Sequence, residues 1–211
     1  MSSTNRGSRR TPADYYPTPH WCVRRLLEEV ELPGGHWVEP CAGDGDIIQA
    51  VQATRQDIAW TANEVREECQ ARLEELVPSS DVRIGDTLEW SPARRAAVAI
   101  TNPPFRLAME MVEWSIANAE VAVLLLRLNF IGTAKRAQFM RKHPPDVYVL
   151  PNRPSFTGKG TDSIEYAWFI WDSRRAEARG RLRVLAPTST KERKQSAWRS
   201  QNGRILPAKS Q

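Results

Sequence analysis

Cysteine is scarce in this chain of 211 residues, and the three present (Cys22, Cys41 and Cys69) are scattered and odd in number. Their spacing fits neither a disulfide framework nor a metal-ligand cluster, so the sequence calls for no metal and suits a reducing cytoplasm. Long apolar runs are missing too. The longest, Val121 to Leu126, has the length of a strand, far short of the ~20 residues that span a bilayer. The opening Met1-Ser2-Ser3-Thr4-Asn5-Arg6 has no apolar segment of the secretory type, and the expectation is a protein without a membrane partner. No internal repeat is visible.

What is present is 41% hydrophobic residues, enough for one domain with a proper core. The expected organisation is a basic, flexible arm over 1–13, a single domain over 14–186 and a basic, flexible tail over 187–211. Charge is unevenly shared. Residues 14–120 carry 9 basic and 19 acidic side chains, whereas 121–186 carry 12 basic and 5 acidic, and the tail 6 and 1. One half is acidic and the other basic, a polarity that suits a polyanion on one side.

Turn and strand signals follow in a fixed order. His36-Trp37-Val38-Glu39-Pro40 runs into Cys41-Ala42-Gly43-Asp44-Gly45-Asp46, a strand, a Gly-x-Gly turn and the start of a helix over 47–54. Glycines there let backbone approach a ligand closely. A nucleotide site of this kind carries an acid about 20 residues on, at the end of the next strand. Here the strand from Ile58 ends at Glu64, nineteen positions after Gly45, and a third strand over 82–84 ends in Gly85-Asp86. No Gly-Lys-Ser/Thr follows the loop, which excludes a kinase-type phosphate cradle, and the third glycine of a dinucleotide fingerprint is absent. The acids Glu39, Asp44, Asp46, Glu64 and Asp86 would repel a pyrophosphate. They suit a ligand with positive character, such as the sulfonium and ammonium of S-adenosylmethionine.

A fourth apolar run, Ala96 to Thr101, stops at Asn102-Pro103-Pro104-Phe105. Two prolines end the strand and stiffen the loop. The loop offers an amide, carbonyls with no competing N–H, and an aromatic face: acceptors for the hydrogens of a planar amine and a ring to stack on it. On its own, the tetrapeptide is also what a tight turn looks like.

Together these elements resemble the class I S-adenosylmethionine-dependent methyltransferases, and within them the amino-group DNA methyltransferases, over residues 14–172. The Glu-Pro-x-Ala-Gly-x-Gly loop that holds the methionine part is matched by Glu39, Pro40, Ala42, Gly43 and Gly45. By the same resemblance Glu64 holds ribose and Asp86 the adenine amine of the cofactor. The family's catalytic motif is matched by Asn102, Pro103, Pro104 and Phe105, with Asn102 also beside the cofactor; Asn with Phe favours adenine N6. Tyr16 and Thr18, in Asp14-Tyr15-Tyr16-Pro17-Thr18-Pro19, resemble the cofactor-contacting Thr-Pro element in the gamma order of motifs. Phe156, in Arg153-Pro154-Ser155-Phe156, falls where the family places a second aromatic against the target base. Arg153 and Lys159, in a polar loop, are expected to contact DNA.

The implied fold is α/β and Rossmann-like: a mostly parallel central sheet, an antiparallel C-terminal strand pair, and helices on both faces. Helices are expected over 20–30, 65–76, 107–118 and 133–143. Strands are expected over 121–128, 147–150, 165–171 and 182–185. The implied activity is methyl transfer from S-adenosyl-L-methionine to adenine N6 in DNA, with the base flipped out of the duplex. RNA base methylation (adenine N6 or guanine N2) uses the same chemistry and stays open, as does a non-catalytic nucleic-acid-binding role. The glutamine-N5 enzymes fit less well, because only about 38 residues precede the glycine loop, too few for the helical substrate domain they carry there. No large target-recognition domain is expected, which suits compact enzymes of bacterial or phage type. Cys41 follows a proline as in cytosine-C5 enzymes, but it lies in the cofactor loop and reads as packing.

Overall fold

The computed structural model describes residues 16–156, 162–175 and 180–194. Helix α1 (His20–Glu29) precedes β1 (Gly35–Glu39), α2 (Asp46–Gln52), β2 (Ile58–Glu64), α3 (Gln70–Glu74), β3 (Val82–Ile84) and β4 (Ala96–Thr101). Then come α4 (Ala108–Asn118), β5 (Ala119–Arg127), α5 (Ala134–Lys142), β6 (Asp146–Val149), β7 (Tyr166–Asp172) and β8 (Leu182–Val184). They form one eight-stranded sheet in the order β3-β2-β1-β4-β5-β7-β6-β8. The strands from β3 across to β5 are parallel. β7 enters antiparallel between β5 and β6, and β8 joins the edge parallel to β6.

Both faces of the sheet are covered, and for that reason β5 reads as an unbroken apolar run. Val121, Val123 and Leu125 pack with Trp21, Leu26, Ile48 and Leu73 from α1, α2 and α3. The alternate residues Ala122, Leu124 and Leu126 pack with Met111 and Val112 of α4, with Phe139 of α5 against them. Six of the eight tryptophans, at 21, 37, 60, 114, 168 and 171, are buried; they build core, not a stacking platform. Among the described residues no helix is long and apolar enough to cross a membrane.

Two segments differ from expectation. The helix expected over 65–76 is shorter: the chain bends at Val65, Arg66 is extended, a 3-10 turn covers Glu67–Cys69, and only Gln70–Glu74 is α-helical. The Glu64 carboxylate is the cause, since it accepts the Arg66 backbone N–H and holds that residue outside the helix. The expected flexible tail begins, in fact, as a packed segment. Thr188 is buried and accepts from Arg25 of α1, while Glu192 pairs with Arg24 and Arg25. Residues 1–15 and 195–211, which hold the expected arm and most of the tail, lie outside the described residues.

Candidate active site

Strand order reverses between β1 and β4, and a crevice opens beyond the carboxyl ends of strands at such a switch point. A cleft of about 380 Å³ occupies it, lined by residues from the loops after β1, β2, β3 and β4 together with Tyr16, Pro17 and Thr18. Every expected cofactor residue except Gly45 is on its wall.

Gly43 and Gly45 take positive φ angles of 56° and 80°. At Gly45 a Cβ would also press on the Leu76 side chain; the positive φ angles are what make the turn into α2 favour glycine. Glu39 at the end of β1 is 2% exposed. Its carboxylate accepts from the Ile48 backbone N–H in α2, and Oε2 has no partner. Burial, and then the neighbouring Asp46 and Glu64 carboxylates, pushes its carboxyl well above the usual range. An unpaired, buried acceptor in acidic surroundings is what a bound ammonium would stabilise.

Glu64 is already engaged. Its Oε2 accepts from the Gly43 N–H at 2.8 Å and its Oε1 from Arg66 Nε at 3.0 Å. Ribose hydroxyls would have to share this carboxylate with Arg66. Asp86 Oδ1 accepts from the Leu88 N–H and so caps the turn after β3. Between them lies a residue that motif reading passed over. Asn63 is fully buried. Its Nδ2 donates to Thr87 Oγ1 and to the carbonyls of Pro40 and Gly85, while its Oδ1 accepts from Arg83. Thr87 in turn donates to the Pro40 carbonyl. This knot fastens the loops after β1 and β3 to each other. The only signal for it was an amide among the buried positions of β2.

On the far side of the cleft, Asn102 Nδ2 donates to the Tyr16 carbonyl at 3.2 Å and to Thr18 Oγ1 at 3.1 Å. Its Oδ1 is buried without a partner. Pro104 lines the cleft, and its carbonyl accepts from the Leu107 N–H, starting the turn into α4; Pro103 is buried. Phe105 is half-buried, with the Arg127 guanidinium carbon 3.8 Å from its ring centre.

The expected base sandwich between Phe105 and Phe156 is not open in this structure. Phe156 is 5% exposed and belongs to the core. Tyr16, expected as a cofactor contact, also places its ring against both phenylalanines, at 5.3 and 5.7 Å, and Tyr166 does so from the core at 5.9 and 5.0 Å. Arg153 is turned to Glu165 in a half-exposed pair at 2.8 Å and does not line the cleft. Lys159 lies outside the described residues. Cys41 lines the cleft, but burial and the Glu64 and Glu39 carboxylates push its thiol far up, which leaves it a packing group and no nucleophile.

No family model matches the sequence, and no curated protein matches it either. Solved structures do. A candidate class I S-adenosylmethionine-dependent methyltransferase from Listeria monocytogenes superposes with a TM-score of 0.57 at 13% identity, covering 87% of this chain and 69% of the other. A candidate RNA methyltransferase from Pyrococcus horikoshii gives 0.54 at 16% identity, over 81% and 91%. The modification subunit of a candidate type I restriction enzyme from Vibrio vulnificus gives 0.56 at 13%, over 94% of this chain and 55% of that one. The fold is that of the class I methyltransferases. In this chain the switch-point cleft and the glycine turn coincide.

Proposed function

We propose that this chain transfers a methyl group from S-adenosyl-L-methionine to the N6 amino group of adenine in DNA, on a base turned out of the duplex. The observation that carries the reading is the Asn102 carboxamide. Two acceptors on the 16–18 segment fix its Nδ2, which leaves Oδ1 buried, oriented and unpaired on the cleft wall. A buried acceptor left unpaired costs about 1–3 kcal/mol, and a substrate N–H relieves that cost.

The residues present fit the cofactor. Glu39 and the turn around Gly43 and Gly45 suit the ammonium and methionine part, Glu64 the ribose, and Asp86 the adenine amine, with Thr18 and Tyr16 alongside. When bound, the cofactor supplies an electrophilic methyl group on a sulfonium. The chain's own task is to make a poor nucleophile competent. An adenine amine has its lone pair delocalised into the ring. Asn102 Oδ1 and the Pro103 carbonyl accept its two hydrogens and draw the nitrogen toward tetrahedral geometry, which is electrostatic preorganisation toward charge that grows during transfer. No strong base is needed at the outset, because the methylated amine loses its proton to water late. Phe105 stacks on the base, an interaction worth about 1–3 kcal/mol, against an extrusion cost of a few kcal/mol.

The Asn-Pro-Pro-Phe loop and the basic half of the chain support a DNA substrate, and the likeness to a modification subunit agrees with it. The likeness to a candidate RNA methyltransferase favours RNA as the second reading. Incubation with labelled S-adenosyl-L-methionine and unmethylated DNA, RNA or protein extract, followed by nucleoside mass analysis, tests it. Label in N6-methyladenine from DNA is the expected result; label confined to RNA or protein overturns the DNA assignment.

A further inference from the structure

Arg127 is the last residue of β5, and β5 lies beside β4, the strand that delivers Asn102. Its guanidinium lies over the Phe105 ring at 3.8 Å, the separation of a stacked planar group, so it covers area that a stacked base would use. One edge of the guanidinium is anchored. Nε donates to the Tyr166 hydroxyl at 3.3 Å, and that hydroxyl donates to Asp162 Oδ2 at 2.7 Å. Among the described residues, Nη1 and Nη2 donate to no acceptor. A half-buried guanidinium with its outer fork unfilled is suited to a bidentate oxyanion.

The surroundings name the oxyanion. From Val121 to Pro145 the chain carries Arg127, Lys135, Arg136, Arg141 and Lys142 and no acid at all. Helix α5 leaves Lys135, Arg141 and Lys142 exposed, whereas Arg136 turns back over Phe130. The acid closest in the network is Asp162, and it reaches Arg127 through Tyr166.

We propose that Arg127 grips a phosphate of the target nucleotide, and that in the free protein its guanidinium keeps the base's place on Phe105. The inference rests on the methyl-transfer reading above and adds to it a residue outside the family motifs. An incoming base displaces the guanidinium from the ring. The side chain, still hinged at the Tyr166 hydroxyl, turns its open fork to the phosphodiester that the extruded nucleotide brings with it. Base stacking and phosphate binding are thereby coupled, since neither group finds its place unless the other moves.

The test uses the full chain, unmethylated genomic DNA and saturating cofactor, with kcat/KM measured between about 50 and 200 mM salt. Arg127→Gln keeps a planar end group without charge, and Arg127→Lys keeps the charge without the plane. Arg127→Gln should lower kcat/KM about tenfold and make its log–log salt slope shallower by about one. Arg127→Lys should keep the slope, and calorimetry should show wild-type cofactor affinity for both. An Arg127→Gln protein with wild-type kcat/KM and slope, or with faster turnover, overturns the proposal. Should that variant not fold, the unaltered chain decides: adenosine 5′-monophosphate should compete with DNA at least about tenfold better than adenosine, as a charged hydrogen bond requires, and equal competition overturns it. An unaltered chain that methylates no nucleic acid sinks both readings; one that methylates beside an unaffected Arg127→Gln sinks Arg127 alone.

Discussion

Glu39, on the glycine-loop side of the cleft, is buried with a carboxylate oxygen unpaired, while Phe105, beyond Asn102, is already covered by Arg127 and flanked by Tyr16. The first side is preformed: its acids stand at strand ends beside the Asn63 knot, and a cationic ligand fits it without displacing core. The second is filled with its own side chains and must be rearranged before a base can stack. On the proposed reading, a small cofactor meets a preformed site, whereas the nucleotide has to displace groups that gain new partners in return. Asn102 sits at the junction, its donor tied to one segment and its acceptor left over.

The largest effect should come from breaking that junction. Asn102→Ala should lower kcat by about 10²–10³-fold, the cost of removing one preorganised polar group, while calorimetry finds cofactor affinity little changed. A variant that still methylates DNA at a near-normal rate would remove the acceptor role. Asn63→Ala attacks the preformed side from beneath. It leaves the Gly85 carbonyl unpaired and takes one contact each from Thr87, the Pro40 carbonyl and Arg83, which keep other partners, a loss of about 2–3 kcal/mol, read as a fall in Tm of roughly 5–10 °C. Cofactor affinity should drop with it, whereas a purely structural amide would lower Tm alone.

The same contrast explains what the sequence made legible. The strands over 58–64, 82–84 and 96–101 stand where they were expected, because a parallel sheet buried on both faces writes itself as apolar runs cut by Gly, Pro or an acid. The acids at strand ends were legible for the same reason: each follows its strand directly. Contacts across the chain were not. Asn63 meets Pro40 from the loop after β1 and Gly85 and Thr87 from the loop after β3, and Arg127 meets a ring 22 positions earlier; no local pattern encodes either. Phe156, expected against the target base, packs beside Tyr166 in this structure; an aromatic in a loop looks alike in sequence whether it faces a cleft or the core. The short α3 was missed because helical periodicity in 65–76 is intact; what stops it is a side-chain acceptor, Glu64, just before it.

Glu39 offers a subtler probe of the preformed side. Its carboxyl is raised by burial first and by Asp46 and Glu64 next, so the folded state binds this proton more tightly than the unfolded chain does. Stability from this group is therefore present below the unfolded carboxylate range and declines as pH climbs through the raised folded value. Glu39→Gln should flatten that decline, giving a free protein with higher Tm than wild type at pH 8 and little difference at pH 4. Its cofactor affinity should be about tenfold weaker, since a charge-assisted contact is lost. Equal pH dependence of Tm in both proteins would show that Glu39 ionises normally in the fold.

Arg153 should give the smallest effect, and it separates a DNA contact from a surface pair. Its partner Glu165 is half-exposed, as Arg153 is itself, and pairs of that kind contribute about 0–1 kcal/mol; Arg153→Ala should leave Tm within about 2 °C of wild type. The salt slope of DNA binding carries the decision. An arginine committed to Glu165 leaves the slope unchanged when removed, whereas one that releases its partner to take a phosphate makes it shallower by about one. Glu165→Gln sharpens the reading: if the carboxylate holds Arg153 away from DNA, freeing the arginine should steepen the slope and tighten binding. No change in either variant would leave the basic character of this side to the α5 cations and Arg127, where the chain has no acid to compete for them.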